Sequence, residues 1–243
     1  MGEVVKVISL SRSQERRRVF SQINGHIKYE FFDAIDGFDA ANQDLIVDTK
    51  IFSGNCQYSL AAKGNALSHI TLWRECISSG IGVTVVEDDA IFRSDFELQR
   101  EQMYYQASEN WDLIVWGFNF DRMVFLNILP GVSYCAMRFS QDSLRLHSES
   151  YRKSSVKPLL MPLSHCYGTP GYSISPKGAS KLLAKILPLK GSNTFMNQSF
   201  LNLGLDAAMA SEYQFLESYI SLPPLVVTKN DKSISTVFPS NNF

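Results

Sequence analysis

The stretch Val83-Thr84-Val85-Val86 runs straight into Glu87-Asp88-Asp89. Four β-branched residues in a row, with Gly82 in front, favour an extended chain and are too few for a helix. A strand with no polar alternation is buried on both faces, as in a parallel sheet covered by helices. Three acids at the end of such a strand would repel one another when desolvated unless something positive sat among them. The junction therefore constrains fold and site together: a covered sheet whose strand ends open onto a polar mouth. For an arbitrary run of three acids a solvated turn is the default. The position after a buried strand brings a ligand-binding role level with it.

The flanking sequence agrees with this frame. Residues 4–10 form another short β-branched run, followed by Ser11-Arg12-Ser13-Gln14. That spacing is a capping box and opens a helix reaching Asn24-Gly25. Residues 29–37 read as a second strand ending at an Asp36-Gly37 turn. Over 59–79, Ala66, Leu67, Ile70, Trp73 and Ile77 recur at spacings of three and four, which puts them on one helix face. Gly80 and Gly82 close that helix. Ser94 with Glu97 signals a further helix toward Ser108, and residues 112–117 a further strand. This alternation over the first 120 residues predicts an α/β fold with a mostly parallel sheet flanked by helices. Ligands in such sheets lie beyond the carboxyl ends of the strands, which places residues 87–89 at the mouth of the site.

The second half is more mixed. Residues 140–158 are polar and read as a mobile loop or an insertion. Residues 168–174 read as a strand entered through a turn. Ser175-Pro176 starts a helix, with serine as N-cap and proline first in the helix. Leu182, Leu183 and Ile186 give it a buried face, and Pro188 stops it. Residues 192–213 read as partly helical. Residues 219–227 read as a last apolar strand, which Pro223-Pro224 assigns to an edge. No internal repeat and no long linker divides the chain.

Composition removes several function classes. With 243 residues, 45% hydrophobic and 19% charged, the chain has the makings of an ordinary globular core. A formal net charge of −1 gives no pull toward nucleic acid. Arg12, Arg16, Arg17 and Arg18 cluster locally; a solvated helix face is the ordinary reading, and a contact from one or two of them to a phosphate is the sharper one. Cys56, Cys76, Cys135 and Cys166 form no CxxC pair, so neither a zinc knuckle nor a thioredoxin motif is signalled. The N-terminal run lacks the flanks of a signal peptide, and no stretch approaches the roughly 18–20 apolar residues of a membrane span. The expectation is a cytoplasmic protein with reduced thiols.

A divalent cation would relieve the repulsion among the three acids. Hard carboxylate oxygens suit magnesium or manganese, which can also bridge a diphosphate. Strand alternation puts Glu87 and Asp89 on one face and Asp88 on the other. These residues alone do not separate group transfer from metal-dependent phosphoester hydrolysis.

Five blocks stand in order along the chain: Val7-Ile8-Ser9-Leu10-Ser11-Arg12-Ser13-Gln14-Glu15-Arg16-Arg17, Phe32-Asp33-Ala34-Ile35-Asp36-Gly37, Gly64-Asn65-Ala66-Leu67-Ser68-His69-Ile70-Thr71-Leu72-Trp73, Val86-Glu87-Asp88-Asp89-Ala90, and Gly168-Thr169-Pro170-Gly171-Tyr172-Ser173-Ile174-Ser175-Pro176-Lys177-Gly178-Ala179. Together they resemble the family-25 glycosyltransferases, the lipooligosaccharide galactosyltransferase type of Gram-negative bacteria, related to collagen galactosyltransferases. The sequence departs from the family near its end. Gly204-Leu205-Asp206 stands where a Pro-Val-Asp is usual, after an extra stretch at 192–202, and residues 228–234 are only loosely similar to a terminal Ser-x-Ile segment.

The resemblance implies one GT-A-like domain over 1–243, with about 1–120 as the nucleotide-sugar-binding half and about 121–243 as the acceptor half. It implies a UDP-sugar donor, UDP-galactose with Mn2+ (or Mg2+) first among them, transfer with inversion, and an oligosaccharide or lipid-linked glycan acceptor. A lipid-linked acceptor leaves room for peripheral contact at the cytoplasmic face of the inner membrane. Asp89 with Glu87 would hold the metal. Ser9, Leu10 and Arg12 would line the nucleotide, and Asp33 or Asp36 would meet uridine or ribose. His69, Glu87, Gly171 and Tyr172 complete the donor side. Asp206 is the first candidate for the base that deprotonates the acceptor hydroxyl, with Asp88 and Glu212 in reserve; His165 is a candidate for the acceptor side. Ordinary structural roles stand beside these: a turn for Asp36, a helix cap for Asp206, core packing for Trp73 and Tyr172, and a structural hydrogen bond for His69. Two other readings stay open. One is a non-catalytic sugar-nucleotide or glycan-binding protein. The other is a metal-dependent phosphoesterase, which would want histidines near the acids, whereas His26, His69, His147 and His165 are scattered.

Overall fold

The β-branched runs become the strands of one large sheet. The computed structural model describes residues 4–230. β1 (Val5–Ser9) is followed by α1 (Gln14–Asn24), β2 (Tyr29–Asp33), a short α2 (Gln43–Ile46), α3 (Leu60–Ser79) and β3 (Val83–Glu87). Next come β4 (Ala90–Phe92), α4 (Phe96–Gln106), β5 (Leu113–Gly117), β6 (Met123–Leu129), β7 (Ser133–Arg138) and α5 (Gln141–Arg152). The chain continues through β8 (Leu159–His165), β9 (Gly171–Ile174), α6 (Pro176–Ile186), β10 (Ser192–Phe195) and β11 (Gln198–Leu201). α7 (Leu205–Glu212), β12 (Ser218–Leu222) and β13 (Val226–Thr228) complete the described chain.

Nine strands form the main sheet in the order β2-β1-β3-β9-β5-β12-β8-β6-β7. The fold class is the expected α/β one, but the sheet is mixed. β1 runs parallel to β2 and β3, and β12 parallel to β5. β9 enters antiparallel between β3 and β5, and the strands from β8 outward are antiparallel. Both faces of the central strands are covered. Val5, Val7, Val86, Ile114 and Trp116 pack with Phe20 of α1 and Phe96 and Met103 of α4. Ile8, Val85, Leu113, Val115 and Ile174 pack on the other side with Ile70 of α3, Leu182 of α6 and Met209 of α7. Val85 and Val86 thus face opposite layers, as two-sided burial of a strand requires.

α3 buries Ala66, Leu67, Ile70 and Trp73, while Ile77 is exposed and Cys76 takes the inward position. Its Gly64 meets the loop after β2. A Cβ on Gly64 would lie 2.4 Å from the Ile35 carbonyl oxygen, and one on Gly37 would lie 1.8 Å from that of Leu60. Two glycines therefore let loop and helix touch backbone to backbone, and Ser68 Oγ accepts from Ile35 N at 2.8 Å. That contact brings Asp36 to the strand ends.

Several expectations are corrected. Neither capping box forms. α1 is capped by Ser13 without a side-chain bond, and Gln14 Nε2 donates instead to the Ser11 carbonyl. Asp95 precedes α4, and Glu97 accepts from Lys28 N. The serine cap and leading proline of α6 do form, with Ser175 Oγ accepting from Gly178 N; Leu182 and Ile186 are buried and Leu183 half-buried. The supposed loop at 140–158 holds α5; residues 192–213 are partly helical as expected, in α7, with a β-hairpin over 192–201. The supposed edge strand at 219–227 is two strands. β12 lies inside the sheet between β5 and β8, and β13 pairs with β4. Pro223 and Pro224 fall between the two, where no ladder donor is needed. The end of the 228–234 segment lies outside the described residues. No helix among those described is long and apolar enough to cross a membrane.

Candidate active site

A cleft of about 220 Å³ opens at the carboxyl ends of β1 and β3. Its walls are the loop after β2, the first turns of α3, the turn before β9, the start of α7, and residues Thr228 and Asn230. Ser9, Leu10, Arg12, Asp36, Glu87, Asp88, Asp89 and Asp206, all singled out from sequence, line it together.

The three consecutive acids part company. Asp88 accepts from Ser9 Oγ at 2.7 Å and from Arg16 Nε at 2.8 Å, and forms an ion pair with Arg16. Glu87 Oε1 accepts from Thr169 Oγ1 at 2.7 Å, and Asp89 Oδ2 from Thr228 Oγ1 at 2.9 Å. Of the three, Asp88 alone has a direct cationic partner among the described residues. Asp89 Oδ1 is buried with no hydrogen-bond partner in the described structure. Burial, then the neighbouring Asp89 charge, push the Glu87 pKa up to about 8. Burial also raises Asp89, against the pull of the Arg16 charge and the Thr228 hydroxyl.

Asp206 sits opposite, in the first turn of α7. The helix cap is Gly204, so Asp206 is not the N-cap. Its Oδ2 accepts from Gly168 N at 3.1 Å. Burial raises its pKa, with that N–H and the helix-start N–H groups opposing. Gly168 has φ +91°, and a Cβ there would lie 2.4 Å from Asn119 Oδ1, so only glycine lets this turn approach both Asn119 and Asp206. Asp36 has both of its proposed positions: it lines the cleft, and its Oδ1 accepts from Phe38 N in a local turn. Arg12 pairs with Asp36 at the mouth.

Four expected donor residues stand outside the lining. Asp33 pairs with Arg17 at 2.5 Å, its side chain exposed at the end of β2. Tyr172 is 1% exposed, so its ring has no free face for a sugar. Gly171 and His69 are buried behind the acids, and Trp73 is core as expected. Glu212 lies at the far end of α7 with Lys185. His165 is buried, its Nδ1 at 2.9 Å from the Ala210 carbonyl oxygen, and its ring stacks on Phe195. Sequence reading passed over Asn119. It follows β5 as the acids follow β3, so the strand-end rule applied to β5 would have found it.

Glu87 and Asp89 fit a hard divalent cation. The unpartnered Asp89 oxygen and two carboxylates of raised proton affinity mark a place short of positive charge. Among the described residues no three His, Cys, Asp or Glu side chains converge on one point. A complete protein cage is not required, because magnesium-type sites commonly use one or two carboxylates with substrate phosphates and water.

Comparison with known proteins accords with this geometry. The family described as "Glycosyltransferase family 25 (LPS biosynthesis protein)" matches residues 3–197. "Putative glycosyltransferase R655" of Acanthamoeba polyphaga mimivirus is 32% identical over 96 residues, covering 37% of this chain and 30% of that protein. "Inactive glycosyltransferase 25 family member 3" of Mus musculus is 27% identical over 198 residues, covering 74% of this chain and 28% of that protein. The chain thus spans under a third of the length of either relative. Among solved structures, the crystal structure of A197 from STIV aligns over 90% of this chain and 81% of that one, at 10% identity and a TM-score of 0.41, too low to bear on the fold or the site.

Proposed function

The chain belongs to glycosyltransferase family 25, and on that premise we propose that it is a metal-dependent, inverting transferase that moves a hexose from a UDP-sugar to a lipooligosaccharide or other lipid-linked glycan. UDP-galactose is the first donor to test. The observation that carries this reading is the cation-deficient cleft: Glu87 and Asp89 lie at a strand end with a buried carboxylate oxygen unpartnered, facing Asp206 across the same space.

The roles follow from the contacts. Glu87 and Asp89 hold Mn2+ or Mg2+. When bound, that cation supplies Lewis-acid stabilisation of the charge on departing UDP. Arg16 and Ser9 hold Asp88 in place, so Asp88 shapes the donor side. Asp206, buried and of raised proton affinity, accepts the acceptor hydroxyl proton. As that proton leaves, the hydroxyl oxygen bonds to the anomeric carbon and the bond from that carbon to UDP oxygen breaks, its electron pair leaving with UDP. A base tuned toward neutral pH is the efficient one.

The test is a screen of UDP release with UDP-galactose, UDP-glucose and UDP-N-acetylhexosamines, with GDP- and CMP-sugars as controls, each with and without Mn2+ and with a glycan acceptor. Metal-dependent release from one UDP-sugar is the expected result. Donor binding without turnover under every condition would favour the non-catalytic reading. That reading has one specific support: the relative covering 74% of this chain is named inactive.

A further inference from the structure

Behind Glu87 lies a chain of buried groups that the reaction above does not use. Trp73, Tyr172 and His69 are 0%, 1% and 0% exposed. Trp73 Nε1 donates to the Tyr172 hydroxyl oxygen at 2.8 Å. That oxygen lies 2.7 Å from His69 Nδ1, and the phenol and imidazole rings stack with centroids 5.7 Å apart. The other imidazole nitrogen, Nε2, has no hydrogen-bond partner among the described residues and stands 3.9 Å from Glu87 Oε1.

The direction of each proton follows from donor and acceptor chemistry. An indole N–H only donates, so the Tyr172 oxygen accepts from Trp73. If His69 carried its proton on Nδ1, the phenol oxygen would face two N–H groups and its own proton would be stranded in the core. If Nδ1 is bare, the phenol O–H donates to it and every group is satisfied up to Nε2. A ring bare at Nδ1 carries its one proton on Nε2. A buried N–H left unpaired is disfavoured, and this one faces the oxygen of Glu87 that also accepts from Thr169.

We propose that His69 is a positioning residue for the cation site. Tyr172 fixes it as the Nε2–H tautomer, which aims a buried donor at Glu87 Oε1 beside the Thr169 hydroxyl. Thr169 and His69 then hold one oxygen of Glu87 and leave Oε2 to the cation. This role rests on the proposed function, since it needs Glu87 as a metal ligand. It accounts for a helix that supplies His69 and Trp73 to one buried phenol rather than to the cleft. Donors of this kind behind a ligand are typically worth about 10–100-fold in metal affinity.

The test uses the full chain, with imidazole 15N spectra for the tautomer and Mn2+ titration followed by electron paramagnetic resonance. Wild type is expected to show a bare Nδ1 and a protonated Nε2. His69→Phe is expected to weaken Mn2+ binding about tenfold. His69→Gln, whose amide N–H reaches the place of Nε2, should stay within about threefold of wild type, on the same scale of effects. Tyr172→Phe, which removes the phenol proton, should give a mixture of tautomers and an intermediate affinity. Should His69→Phe fold poorly, the Gln and Tyr172→Phe variants and the wild-type spectrum still decide. A proton on Nδ1 in wild type, or equal Mn2+ affinity in wild type and folded His69→Phe, overturns the role of His69 and leaves the proposed function standing. Wild type that binds no Mn2+ overturns the metal reading and this inference together.

Discussion

The two walls of the cleft are built on different electrostatic plans. The wall from β1, α1 and β3 carries charge in pairs, Arg16 with Asp88 and Arg12 with Asp36 of the loop after β2, and Arg17 pairs with Asp33 just outside the lining. The wall from α7 and the turn before β9 carries a carboxylate held by a backbone N–H, with no ion pair to Asp206 among the described residues. Glu87 and Asp89 belong to the first wall by sequence but reach hydroxyls of other segments, Thr169 in the turn before β9 and Thr228 at the end of β13. Contacts to Arg16 and Ser9 fix Asp88 in place, which suits a positioning role on the donor side. Burial with neutral partners raises proton affinity at Asp206, which suits proton transfer. The difference teaches that neighbouring acids in one cleft acquire separate tasks through their partners and not through their identity.

Breaking the second plan should have the largest effects. Asp89→Ala is expected to abolish transfer in an assay of UDP release while the thermal unfolding profile stays that of a folded protein. Unchanged transfer would remove Asp89 from the site. Asp206→Asn should lower kcat by roughly 10²–10⁴-fold, the usual worth of a general base, with UDP affinity kept. A loss of UDP affinity equal to the loss of turnover would instead make Asp206 a donor contact.

The first plan is sharpened by comparing two arginines. Arg16→Met leaves the largely buried Asp88 without its cation, and urea unfolding should show a loss on the order of 2 kcal/mol, between exposed and fully buried pairs. Arg17→Met removes a pair whose carboxylate is exposed, and a loss below about 1 kcal/mol is expected. Equal losses would erase the distinction. A separate test concerns pH. Glu87 has its folded pKa raised from 4.5 to about 8, so its contribution to stability is fully present below pH 4.5 and is lost as pH rises through 8. In the absence of divalent cations, Glu87→Gln should therefore gain stability relative to wild type as pH rises across that window. A flat difference in midpoint would contradict the raised affinity.

Much of this was readable from residue order. The β-branched run before Glu87 points to a two-sided strand, the strand-end rule places the acids at the mouth of the site, and the family resemblance adds Ser9 and Asp36. The helix bearing Gly64, Ser68 and His69 was legible by period, and its glycine finds its reason in the close approach to the loop at Gly37. What escaped was structure that periodicity does not carry. α5 buries Gln141, Leu144 and Ser148, two of them polar, and bends at His147, so its pattern resembles a loop. The β10–β11 hairpin turns through Met196 and Asn197 at positive φ, where methionine gives no signal. β4 and β13 are three residues each and define one another only by pairing. At the site, Thr169 and Thr228 come from distant segments, and only folding shows that they separate Glu87 from Asp89. That Asp206 is not the helix cap likewise needed the observation that Gly204 takes that place.

The most direct test of the cation-deficient cleft is calorimetric titration of UDP into wild type and Asp89→Asn, with and without Mn2+. Wild type should bind UDP tightly only when Mn2+ is present, and Asp89→Asn should lose that metal dependence along with most of the affinity. Equal UDP binding by both proteins, indifferent to Mn2+, would contradict a donor site organised by Glu87 and Asp89 around a cation.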